Sequence, residues 1–349
     1  MFDVGEILKG SASFERLSAA EGDVFVTGAA EGLKPVIISE TAKKLGKKAV
    51  IICENEIKAR DFYCCLSLIC ENVYFYPAKD IVFYSADIKS AEIVKQRFEV
   101  FEAVFSGKAD FVVISAEGLF DRLMEPAVFK KNIIHFSEGD EINVEELSKK
   151  LVLMGYESCS QVEGCGQFSV RGGIIDIFSP NNRTPVRIEL WGDEIDTIRT
   201  TDNYSQRSVN KIKEVDVYPF RELICSEKEL LKRAALIEKE DAAAAERIRE
   251  EKSFGGIEKY INYFYDKTVS VFDYLFEDCV VFLNEYNKIK TRQKNVYEEF
   301  SENVAERLEK GKALSLEKDL IYSPADIESF WNGHKKIVIN EFYYSGEKN

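Results

Sequence analysis

Ala49-Val50-Ile51-Ile52-Cys53 contains no polar side chain and no alternation. A strand wetted on one face would alternate apolar and polar residues, so this unbroken run belongs to a strand covered on both sides. Upstream, Val24-Phe25-Val26 is a shorter apolar run closing at Gly28, and a helix follows over roughly Val36 to Leu45. Downstream come a helix near Glu56 to Leu68, a strand Val73-Tyr74-Phe75-Tyr76, a helix from about Ser90 to Phe105 and the buried-type strand Phe111-Val112-Val113-Ile114. Solid strands separated by amphipathic helices predict a parallel α/β sheet. The pattern changes after about residue 132. One helix is expected within 142–154, where Leu147, Leu151 and Met154 share helical spacing. Then QFSVRGGIIDIF (167–178), TPVRIELWGDEIDTIRTTD (184–202) and VNKIKEVDVYPF (209–220) read as strands and turns, broken at Gly172-Gly173, Pro180-Asn181-Asn182 and Gly192-Asp193. This predicts an antiparallel α+β insert. A charged helical stretch begins near Ser226. The strand Val280-Val281-Phe282-Leu283, a charged helix from Asn287 to Glu309 and the strand Lys336-Ile337-Val338-Ile339 resume the α/β pattern. The expected division is an α/β domain over 1–131, an inserted domain over 132–219 and the rest of the α/β domain over 220–349.

Composition limits the chemistry. The 349 residues suit two or three domains, at roughly 100–200 residues each. With 47 Lys plus Arg against 61 Asp plus Glu, the net charge is -14. Nucleic-acid binding through bulk charge is disfavoured, because phosphate contacts need clustered basic groups. The eight cysteines form no CxxC pair and mostly lie in apolar runs, which predicts buried reduced thiols. The two histidines, His135 and His334, are far apart, so neither a histidine-based triad nor a metal site is expected. There is no apolar run long enough to span a membrane and no signal-peptide layout at the N-terminus. A cytoplasmic location is therefore expected.

The strand–loop–helix from Val24 to Leu45 sits where a phosphate-binding loop would be. In GxxxxGK[ST], glycines let backbone N–H groups surround the phosphates, the lysine reaches the terminal phosphates and the hydroxyl holds magnesium. Here the register is Gly28, Ala29, Ala30, Glu31, Gly32, Leu33, Lys34, Pro35. Leu33 replaces the second glycine, and Pro35 offers neither hydroxyl nor N–H. Glu31 adds negative charge, which leaves a strand-to-helix turn with an incidental lysine as the plainer reading. The partner motif, an acidic pair closing an apolar strand, reads Asn284-Glu285, so the magnesium-binding Asp is missing. No nucleotide hydrolysis, catalytic residue, cofactor or metal is expected of this segment.

The stretch from Gln167 to Pro219 carries a resemblance. RGG before an apolar strand (171–173), RIE followed by GDEID (187–189 and 192–196) and SQRS (205–208) closely resemble domain 2 of the excision-repair protein UvrB. They resemble still more the matching domain of the bacterial transcription-repair coupling factors (Mfd). Phe75-Tyr76-Pro77-Ala78-Lys79-Asp80 with Tyr84, then Gln96-Arg97, look like the family's first domain, and Phe272-Asp273-Tyr274-Leu275 looks like its DYLP segment. Both nucleotide motifs are degraded, and the chain between Tyr76 and Ser90 is too short for UvrB's DNA-gripping hairpin. The likeness is therefore to the degenerate UvrB-like module of the coupling factors. It implies a degenerate helicase-like domain interrupted by a UvrA-binding insert, which recruits UvrA to a stalled polymerase and has no ATPase activity of its own. The resemblance also implies that RNA polymerase, DNA and an ATP-dependent translocase motor are engaged through other domains of a full-length factor, of which this chain would be a segment. It assigns UvrA contacts to Arg171, Arg187 and Trp191. Period-two alternation agrees: Ile188 and Leu190 fall on one face of their strand, and Arg187, Glu189 and Trp191 on the other. The family pattern would have an acid at Gln167 and Phe at Trp191. Two alternatives stay open. One is a divergent UvrB-like enzyme that binds nucleotide and loads DNA, supported by Lys34 and Glu285. The other is an autoinhibitory clamp in which further domains mask the same surface.

Overall fold

A computed structural model describes residues 4–8, 10–79, 91–202, 207–252, 256–311 and 313–342. Asp80, Tyr84, the stretch expected to lack the hairpin and half of the SQRS motif (Ser205, Gln206) lie outside these residues. The strands are β1 (Val24–Thr27), β2 (Lys48–Cys53), β3 (Val73–Tyr76), β4 (Phe111–Ser115), β5 (Ile134–Ser137), β6 (Glu157–Ser158), β7 (Gln167–Arg171), β8 (Ile174–Ile177), β9 (Val186–Trp191), β10 (Glu194–Thr201), β11 (Ser208–Ile212), β12 (Glu214–Val217), β13 (Cys279–Asn284) and β14 (Lys335–Asn340). The α-helices are α1 (Ala12–Ala19), α2 (Lys34–Leu45), α3 (Glu56–Ser67), α4 (Ala91–Phe105), α5 (Pro126–Lys131), α6 (Val144–Leu153), α7 (Glu227–Ile237), α8 (Ala242–Glu251), α9 (Ile261–Phe264), α10 (Tyr286–Glu309) and α11 (Pro324–Phe330).

One six-stranded sheet runs β1-β14-β13-β2-β4-β3, and every neighbouring pair in it is parallel. The late strands β13 and β14 insert between β1 and β2, so strands from both ends of the chain share one sheet. Successive residues of β2 feed opposite cores. Val50 and Ile52 pack with α4 and α10 residues such as Phe98 and Ile289, while Ala49, Ile51 and Cys53 pack under α2 and α3 with Ile38 and Phe62. Both faces are covered, which is why no polar residue interrupts the run that opens the sequence reading.

Residues 134–217 form their own sheet, β11-β10-β9-β8-β7-β6, over a separate core that includes Leu147, Leu151, Phe168, Ile175 and Ile188. Its entry strand β5 and exit strand β12 pair with each other, antiparallel, from Val217 on Ile134 to Glu214 on Ser137. The segment therefore leaves and rejoins the rest of the chain at one place. The expectation of a purely antiparallel sheet is corrected, because β6 joins β7 in parallel. The charged helical stretch after Ser226 is built as two helices, α7 and α8. Asp241 caps α8 by accepting from the Ala244 N–H at 2.9 Å. At the junction Arg97 is fully buried. It donates to Asp121 at 2.6 Å, pairs with Glu222 at 2.7 Å and lies 4.2 Å over the Tyr76 ring. Glu222 follows β12, so this network ties the chain leaving the second sheet to the first sheet.

The cysteine expectation holds only in part. All eight are free thiols, but only Cys53 and Cys279 are buried, and Cys64 and Cys65 are exposed on α3. Among the described residues there is no helix long and apolar enough to cross a membrane, and no cluster of potential metal ligands.

Candidate functional site

Two hairpins build the surface that carries Arg171, Arg187 and Trp191. The first joins β7 to β8, with Arg171 directly opposite Ile174 across Gly172-Gly173. Gly172 has φ +60, the left-handed region, and a Cβ on Gly173 would sit 3.0 Å from the Leu190 carbonyl oxygen. Glycine is needed at the first for conformation and at the second because β9 approaches so closely. The second hairpin joins β9 to β10 through Gly192-Asp193, with Trp191 opposite Glu194 and Gly192 at φ +67. A register shift then occurs between Ile195 and Thr197, leaving Asp196 as the extra residue. The bulge lets Ile195 and Ile198, three positions apart, both enter the core.

Trp191 is 85% exposed at the tip of its hairpin, as the alternation requires. Arg187 is not the freely solvated charge that alternation suggests, since its side chain is only 16% exposed. The reason is Asp176, a residue that sequence reasoning missed. Its carboxylate is 2% exposed and stands directly opposite Arg187 on the neighbouring strand. Arg187 donates Nε to Asp176 Oδ1 at 2.7 Å and Nη2 to Oδ2 at 3.0 Å, while Arg171 donates Nη2 to Oδ2 at 2.7 Å. These hydrogen bonds, with Asp176's charge, raise the Arg187 guanidinium above its already high ordinary value. One buried carboxylate thus gathers both arginines on one face, with one fork fully engaged and the other half-exposed. Glu189 on the same face is half-buried and accepts from Thr197 Oγ1 at 2.8 Å. Gln167 folds over its own loop, where Oε1 accepts from the Glu163 and Gly164 N–H groups at 2.9 and 3.0 Å. The sequence signal for Asp176 was a single acid between two apolar residues that β7 or β9 could face, but its partners depend on strand register.

The would-be nucleotide loop has a different fate. Lys34 is completely buried, and its Nζ donates to Glu285 Oε1 at 2.7 Å, with Glu31 at 3.6 Å. Glu285 Oε1 also accepts from the Glu341 N–H at 2.7 Å, and the residue stands at φ +65, a strained conformation for a non-glycine. Burial opposes the charge on Glu285, but Lys34 and the Glu341 N–H outweigh it and hold the carboxyl below its ordinary value. The lysine is therefore not incidental. The two remnants of the motif, Lys34 and Glu285, are brought together and neutralise each other. Asn284 is buried, with Nδ2 3.8 Å from Cys53 Sγ. The N–H groups of Leu33 and Lys34 already donate to the Ala30 carbonyl, and Pro35 lies in the first turn of α2. Gly28, at φ +81, and Leu33 border a groove of about 540 Å³ lined mainly by α1 and β1 side chains such as Phe14, Leu17 and Val24; Lys34 is not on its wall.

Comparison with known proteins bears on the second sheet and on the chain as a whole. Residues 134–223 match the UvrB interaction domain family. The chain is 28% identical to the transcription-repair-coupling factor of Bacillus subtilis (strain 168), over 83% of this chain and 26% of that protein. It is 28% identical to that of Staphylococcus aureus (strain MRSA252), over 96% of this chain and 30% of that protein, and 28% identical to that of Staphylococcus haemolyticus, over 88% and 28%. The chain thus spans less than a third of the length of these relatives.

Proposed function

Taking the chain as a UvrB-related module of the transcription-repair-coupling-factor kind, we propose that it is a docking adaptor that recruits UvrA, and that it hydrolyses no nucleotide. In this reading residues 132–219 are an inserted UvrA-binding domain, and the parallel sheet is a degenerate helicase-like domain that carries it. Recruitment to a stalled RNA polymerase would depend on parts of a longer protein. The observation that carries the reading is the Asp176-centred pair of arginines beside an exposed tryptophan, within the segment that matches the UvrB interaction domain. Trp and Arg are, with Tyr, the residue types enriched at interface hot spots. The Lys34–Glu285 pair supports the absence of hydrolysis, because the lysine that would meet phosphate is spent on an internal carboxylate. A pull-down of UvrA by the wild-type chain tests the adaptor role: retention supports it, and its loss would leave the surface without this partner. Addition of Mg-ATP at saturating concentration should leave the melting temperature unchanged. A nucleotide site with tight affinity would add a few kcal/mol.

A further inference from the structure

The outer face of the second sheet holds more basic groups than Arg171 and Arg187. Lys211 on β11, Arg199 on β10 and Arg187 on β9 occupy directly opposed positions across three neighbouring strands. Like charges placed opposite each other weaken a strand pair, and the whole chain carries a net charge of -14. The row is therefore neither a reflection of composition nor an aid to folding. Its neutralisation within the chain is incomplete. Arg187 is matched by Asp176. Lys211 meets Glu138 at 2.9 Å but keeps its side chain half-exposed. The carboxylate nearest Arg199 among the described residues, Glu189, lies 3.9 Å away, beyond hydrogen-bond reach, and the same oxygen already accepts from Thr197.

Building on the UvrA-docking reading of this face, we infer that Arg199 and Lys211 extend the docking surface across β10 and β11, and that the row reads carboxylates on the partner protein. A guanidinium with open donors is shaped for a carboxylate fork, and a half-exposed lysine supplies an adaptable point charge beside it. Charge complementarity favours a protein over a nucleic acid. Glu189 and Glu138 stand among the basic groups, where they would repel a continuous phosphate chain but leave room for separate carboxylates. Trp191, at the end of β9, and the exposed Val209, two residues before Lys211, supply apolar contact that a duplex backbone would not use.

The test uses the whole chain with Arg199→Glu and Lys211→Glu together, and the milder Arg199→Gln with Lys211→Gln should the reversal fail to fold. UvrA association and dissociation are followed over a range of salt concentrations. Rim charges act mainly on the on-rate, so association should slow about tenfold at low salt and its salt dependence should flatten, with dissociation little changed. An association rate and salt slope equal to wild type would overturn the inference while leaving the UvrA reading intact. Competition by labelled duplex DNA for the wild-type surface, lost in the variant, would overturn the assignment to carboxylates. Failure of the wild-type chain itself to bind UvrA would refute the docking reading and this extension with it.

Discussion

Replacing Asp176 by Asn changes two atoms' chemistry and almost no volume, so it isolates the charge that gathers the two arginines. Asp176 accepts three hydrogen bonds from them, at 2.7, 3.0 and 2.7 Å. Removing one member of a fully buried ion pair costs about 3–5 kcal/mol, because the remaining charge is left uncompensated. Arg187 keeps 16% exposure and Arg171 49%, so water can recover part of that loss. A hydrogen bond to a charged group contributes about 1.5–3 kcal/mol, and an Asn oxygen placed where Oδ2 stands can still accept two of the three, without the charge and with its NH2 turned toward Arg187 Nε. The expected cost is therefore about 2 kcal/mol. Guanidinium denaturation followed by far-ultraviolet circular dichroism would measure it. UvrA affinity should fall as well, since the arginines lose their fixed geometry. Asp176→Glu should recover more of the stability than Asn. A stability within about 0.5 kcal/mol of wild type, with UvrA affinity unchanged, would refute the claim that this carboxylate organises the surface.

The other expectations concern the remnant site and the exposed anchor. Lys34→Met and Glu285→Gln should each destabilise by about 3–5 kcal/mol, whereas the double variant should cost much less than their sum; additive losses in chemical denaturation would show that the two groups do not form one unit. Because Glu285 is held below its ordinary value of 4.5, the pair's contribution is complete above that pH and is lost as pH falls through the lower folded value. Acid titration should therefore show the parent losing stability more steeply below pH 4.5 than the double variant, and identical slopes would contradict this. Trp191→Ala should leave stability within about 0.5 kcal/mol while weakening UvrA binding by about 2 kcal/mol or more. Calorimetric titration would expose the opposite pattern.

How much of this was legible follows from the range of each interaction. The core strands β2, β4 and β13 could be read from unbroken apolar runs, because burial on both faces leaves a local signature. The charged stretch after Ser226 was legible as helical, and the start of α8 within it is set by Asp241, which caps the run of alanines that follows. The outward placement of Trp191 followed from period two. Asp176 did not, because an acid between Ile175 and Ile177 predicts only a solvated face, and its arginines enter through strand register. The bulge at Asp196 likewise depends on pairing, and it breaks the alternation that sequence reading relies on. Lys34 and Glu285 are 251 residues apart. Each could be scored against a nucleotide motif, but their pairing exists only because β13 and β14 join the sheet beside β1. Local periodicity thus yields elements and faces, and non-local pairing decides which charges meet.

The most direct test of the central claim is the affinity of this chain for UvrA, measured by titration for the wild type and for a folded Arg171→Ala, Arg187→Ala double variant. Several kcal/mol of binding should be lost in the variant, enough to abolish a micromolar complex at working concentrations. Equal affinity of the two proteins would contradict the account.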